Sequence, residues 1–171
     1  KIKLNLPPKF KGRPIGPDQT LSAMIAAGEI DALHTARAPS TFRSMPGAVR
    51  RLYPDIVAVE REYYRRTKIF PIMHVVVIRT GLYAQNPWVG QSLYKAFCEA
   101  KDLCFSQIYD SNILRISLPW TVSECEEARL LMGEDYWPYG FSANRHVLET
   151  LHSYLLEQGL IEKRLDLEKL F

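Results

Sequence analysis

Apolar residues along this chain recur at two spacings. At 2–6 they alternate with polar ones as in a strand, and 7–17, rich in Pro and Gly, is an irregular connection. An Ala/Leu/Ile/Met stripe at 18–28, closed by Gly28, predicts a short helix, with a short strand at 30–33 directly after it. Residues 50–53 read as another short strand and 55–67 as a helix carrying Ile56, Val59 and Tyr63 on related faces. The β-branched run 70–78, weakened at its start by Pro71, predicts a buried strand. The clearest periodicity lies at 87–108, where Val89, Leu93, Ala96, Phe97, Ala100, Leu103, Cys104 and Ile108 fall three or four apart behind Pro87. Helices are also expected at 122–132 and 142–158, the latter stopped by Gly159.

Strands and helices alternate early and helices dominate late, which predicts a mixed α/β fold with a helical C-terminal region. Few strands are available for those helices to cover, so further strands are expected from outside the segment. The division expected is an α/β part at 1–80 and a helical part at 81–171.

Composition narrows the function classes. With 47% hydrophobic and 24% charged residues the chain is that of a globular protein rather than a disordered one. A net charge of +3, scattered over pairs such as Arg50–Arg51 and Arg65–Arg66, gives no nucleic-acid groove. No apolar run reaches a membrane span, and 1–6 is strand-like rather than a signal peptide, so a cytoplasmic setting is expected. Cys98, Cys104 and Cys125 are odd in number, lack metal-ligand spacing and read as reduced core residues.

Three constellations could carry chemistry. In 34–42 a predicted strand end delivers His34, Thr35, Arg37, Ser40 and Thr41 together, with Pro39 stiffening the turn. Arg37 offers a planar charged fork for a carboxylate, with hydroxyls for its second oxygen; an Arg paired to a local acid with hydroxyls capping the turn is the structural alternative. His74 stands inside the apolar run 69–78, as a hydrogen-bonded core residue or as a proton donor in a dry site. The run 133–140, GEDYWPYG, is dense in aromatics that stack on a ring ligand or clamp helices together, and its Glu134 or Asp135 could transfer a proton or merely begin a helix. There is no phosphate loop, no metal-binding spacing, no nucleophile elbow and no obvious Schiff-base Lys.

At these segments the chain resembles a known family. AAGEIDAL at 26–33, ARAPS at 36–40, RLYP at 51–54, TKIFPIMH at 67–74, NPW at 86–88, MGEDYWPYG at 132–140, Asn144–Arg145 and EQGL at 157–160 look like the C-terminal half of 4,5-dihydroxyphthalate decarboxylase and its relatives. The resemblance implies a type II periplasmic-binding-protein-like scaffold, two mixed-sheet lobes around a cleft, of which this chain would be a partial version lacking an N-terminal lobe or partner chain. It also implies conversion of 4,5-dihydroxyphthalate to protocatechuate and carbon dioxide in the cytoplasm by a homo-oligomer, with a small aromatic carboxylate as substrate and no cofactor; a divalent metal is permitted but not demanded. The roles that follow are Arg37, with Ser40 and Thr41, as carboxylate clamp, His74 as acid or phenol-orienting group, Trp137 and Tyr139 as walls for the ring, and His34 as a secondary contact. A non-catalytic solute-binding protein would keep Arg37 and the aromatic wall but have no use for a proton donor at His74.

Overall fold

The computed structural model describes residues 7–170. The described chain is helical: α1 (Leu21–Ala27), α2 (Thr41–Ser44), α3 (Ile56–Thr67), α4 (Thr80–Gln85), α5 (Trp88–Tyr109), α6 (Thr121–Met132), α7 (Phe141–Glu157) and a closing 3₁₀ turn at Leu167–Lys169. It divides into two compact units, 1–60 and 61–171, with α3 beginning in the first and ending in the second.

The helices form where local chemistry marks them. Thr20 caps α1 through its side chain on the Ala23 amide, and Gly28 ends it in the left-handed region at φ 73°, which a residue with a Cβ adopts only at a cost. Asp55 Oδ1 accepts from the Ala58 amide at 2.9 Å and so starts α3. Gly159, at φ 70°, turns the chain after α7. These three helices, with α5 and α6, bear out the periodicities read from the sequence. Two short helices, α2 and α4, were not foreseen.

The α/β, type II periplasmic-binding-protein-like architecture with mixed-sheet lobes is overturned. Among the described residues there is no strand, only an isolated bridge between Pro46 and Val49. Residues 30–33, 50–53 and 70–78 form no ladder, and the strand expected at 2–6 lies outside the described residues. The run 70–78 shows the physical reason. Successive residues of an extended chain point to opposite faces, and a buried strand must cover both. Here Val75, Val76 and Val77 are 57%, 64% and 83% exposed, so both faces are bare and no described segment pairs with the backbone. Residue type marked the run as apolar, but a strand needs a neighbour, and that is not a local property.

Within the second unit the ends of the helices are tied by named contacts. Arg61 at the middle of α3 reaches Glu127 (2.6 Å) and Glu124 (3.3 Å) on α6. At the end of α3, His146 of α7 donates from Nε2 to the Thr67 carbonyl at 2.9 Å, and Ile69 is buried just beyond. On the other side of α7, His152 is 6% exposed and its Nε2 accepts the Leu165 amide at 2.9 Å, holding the C-terminal turn against the helix beside Leu148. Among the described residues of the first unit, Met24 of α1 is the buried apolar one. No helix of the described residues is long and apolar enough to cross a membrane.

Candidate functional site

The second unit contains a cavity of about 350 Å³ lined by Phe97, Ala100, Lys101, Cys104 and Phe105 of α5 and by Trp137 and Tyr139. Its two halves arise differently. The α5 residues share a helical face because they are spaced by three and four. Trp137 and Tyr139 are delivered by the loop 133–140, which is held by its own backbone geometry. Gly133 and Gly140 bracket it at φ 102° and 90°, and Asn144 of α7 donates from Nδ2 to the carbonyls of Pro138 and Gly140, each at 2.9 Å. A Cβ at Gly140 would stand 3.1 Å from the Tyr94 hydroxyl, so Tyr94 of α5 occupies the space that only glycine leaves. The Cys98 thiol beside it raises the Tyr94 phenol above its usual range, first through hydrogen bonding and then through charge.

Lys101 is the cation in this cavity, its side chain 11% exposed. Its Nζ donates to Asp135 Oδ1 and Oδ2, both at 2.8 Å, and to the Trp137 carbonyl at 3.3 Å. It also stands 5.1 Å from the centre of the Tyr139 ring and 5.9 Å from that of Phe105, within cation–π reach of both. Asp135 Oδ1 accepts the Trp137 amide at 3.3 Å as well, so one carboxylate fixes the cation and the turn. Glu134, by contrast, pairs with Arg129 on α6. Tyr136 stacks on Phe105, one of the lining residues (centroids 4.8 Å, 23°). Burial, then the nearby Cys125 thiol and Tyr109 hydroxyl, hold the Tyr136 phenol protonated well above the tyrosine range, although its oxygen and that of Tyr109 are buried without an aligned hydrogen bond. Phe70 packs on Trp137 at 5.5 Å, which anchors the start of the exposed run 71–79 to the cavity's rim.

The residues expected from sequence are distributed as follows. Trp137 and Tyr139 come together on one cavity. His74 is exposed on the run 71–79, with no hydrogen bond or ring contact to either of them among the described residues. It lies four residues beyond Phe70, a chain length of up to about 13 Å. Arg37, Ser40, Thr41 and His34 belong to the first unit. There the hydroxyls are taken up within the fold: Thr41 Oγ1 donates to the Ser22 carbonyl at 3.0 Å, and Ser40 Oγ lies 3.0 Å from Ser22 Oγ. The Arg37 amide donates to Thr35 Oγ1 at 3.3 Å, while its exposed guanidinium has no partner among the described residues. His34 is exposed.

Lys101 was missed by sequence reasoning. Its signal was present: a Lys inside the stripe formed by Phe97, Ala100 and Cys104. Among the described residues no group of three or more His, Cys, Asp or Glu is arranged to hold a metal ion.

No family model matches the chain. It is, however, 36% identical over all 171 residues to the 4,5-dihydroxyphthalate decarboxylase of Comamonas testosteroni. The chain spans about half, 52%, of the length of that curated relative. It is thus homologous, from end to end, to one segment of a longer protein of the decarboxylase class. That relative carries the name of the family that the motifs of the sequence already resembled.

Proposed function

We propose that this chain forms part of a carboxy-lyase that converts 4,5-dihydroxyphthalate to protocatechuate and carbon dioxide. The observation that carries the reading is the 36% identity, over all of this chain and 52% of the relative, with the Comamonas 4,5-dihydroxyphthalate decarboxylase. The cavity around Lys101 supports it, being of a size and aromatic lining suited to a single hydroxylated ring.

The chemistry asks for few parts. A proton adds to the ring carbon that bears the departing carboxylate, assisted by electron density from the hydroxyl para to it. The carbon–carbon bond then breaks, its electron pair restores the aromatic ring, and carbon dioxide leaves. The protein must hold the anion, supply the proton and keep water out. Arg37 is our candidate for the anion clamp, since its fork is permanently charged and unpaired among the described residues. Ser40 and Thr41, engaged with Ser22, would serve by fixing the loop and His34 by a secondary contact. His74 is the candidate acid, its imidazole exposed and without a hydrogen-bond partner among the described residues. Trp137 and Tyr139 wall the ring.

The bare faces of 71–79 support a further polypeptide at this site, corresponding to the part of the curated relative that this chain does not span. The test is to assay the chain alone and co-expressed with that part, following carbon dioxide and protocatechuate from 4,5-dihydroxyphthalate. Equal amounts of the two products are expected from the paired polypeptides. Tight binding with no release would replace the enzyme by a solute-binding protein.

A further inference from the structure

We propose that the Lys101–Asp135 pair recognises the hydroxylated edge of an aromatic ring held between Phe97, Phe105, Trp137 and Tyr139, taking adjacent phenolic hydroxyls rather than a carboxylate. The inference rests on the functional reading above in supposing a ring ligand, and adds which end of the ring this cavity takes.

The argument is one of vacant hydrogen-bonding positions. Each carboxylate oxygen has two lone-pair directions. Among the described residues, Asp135 Oδ1 accepts from both Lys101 Nζ and the Trp137 amide, whereas Oδ2 accepts from Lys101. The open position is therefore an acceptor, on a half-exposed side chain whose two partners, Lys101 and Trp137, line the cavity. A ligand must bring a donor to it. An ionised carboxylate brings none and would set its charge against that of Asp135, and a ligand ammonium would meet Lys101. A phenolic hydroxyl fits on both counts. It donates to Oδ2, and the oxygen of its neighbour on the ring can share the ammonium where the present contact, 3.3 Å to the Trp137 carbonyl, is the longest of the three. The ion pair is neutral as a unit, so it accepts a neutral polar edge without a charge imbalance. The aromatic walls then contact the ring faces, and their geometry favours offset or edge-to-face packing.

The rival account makes the pair only a tie between α5 and the loop 133–140. The two differ on the unmodified chain. Catechol and 1,2-dimethoxybenzene present the same ring, but only catechol donates, and phthalate presents carboxylates alone. Calorimetric titration of the chain should show catechol binding about tenfold or more tighter than either of the others, the worth of a hydrogen bond to a charged group. Asp135→Ala should remove that preference, and Lys101→Met should weaken catechol binding, while the far-ultraviolet dichroism keeps its helical signal. Equal affinity for catechol and its dimethyl ether, or phthalate binding tighter than catechol, would overturn the proposal. Catechol selectivity without carbon dioxide release from 4,5-dihydroxyphthalate would keep this site and remove the decarboxylase reading. Release of carbon dioxide with no catechol selectivity would do the reverse.

Discussion

The loop that carries Arg37 and the loop that carries Trp137 solve opposite problems. In the first, side-chain hydroxyls do the holding: Ser40 and Thr41 are tied to Ser22 of α1, and the charged group at the surface is unpaired among the described residues. In the second the backbone does the holding, through glycines at positive φ and the Asn144 amide, and the charged group is drawn inward and paired. An unpaired surface guanidinium can capture an anion from water, at the cost of being screened by salt. An ion pair whose cation is enclosed among rings and whose carboxylate is half exposed offers hydrogen-bond direction instead. The contrast is between a free charge and a paired one.

The sharpest break of this contrast is at Gly140. Adding a Cβ there meets both an unfavourable φ of 90° and the Tyr94 hydroxyl, so Gly140→Ala should lower unfolding free energy by about 2 to 3 kcal/mol in urea titrations. His152→Ala should cost about 1 to 2 kcal/mol, because the buried imidazole is lost and the part-buried Leu165 amide loses its acceptor. The chain's thermal midpoint reports it directly. Alkaline titration probes the stack of Tyr136 on Phe105. Burial raises the Tyr136 phenol above its ordinary value of 10.0, so the stability this contributes is complete below that pH and is lost as pH climbs through the higher folded-state value. Phenolate absorbance should show Tyr94 and Tyr136 ionising late, and Tyr136→Phe should remove the latest step. On the first loop, Thr41→Val keeps the shape and deletes the bond to Ser22, for about 1 kcal/mol. Arg37→Lys should leave stability within about 0.5 kcal/mol. Its effect should appear in dicarboxylate binding, since an ammonium cannot reproduce a bidentate fork.

Periodicity and stop signals made α1, α3, α5, α6 and α7 legible, because a helix is specified within a few residues: the stripe in α5, Asp55 before α3, Gly28 and Gly159 after α1 and α7. The strands failed because pairing is decided elsewhere in a chain. The Val75–Val77 residues read as strand-formers whether or not a neighbour exists. The candidate site was legible to the same limit. The aromatic density of 133–140 drew attention to Trp137 and Tyr139, which line one cavity. Lys101 escaped because its partner Asp135 lies thirty-four residues away, and a single Lys in a helix ordinarily reads as solvated. For the same reason nothing local revealed that Ser22 would claim the Ser40 and Thr41 hydroxyls.

The most direct test of the account is the turnover of 4,5-dihydroxyphthalate by the chain paired with the remaining part of its Comamonas relative, measured beside the same pair carrying Lys101→Met. The account expects one carbon dioxide per protocatechuate, and a kcat/KM lowered by about tenfold or more in the variant. Substrate bound and returned unchanged, or turnover indifferent to Lys101, would contradict it.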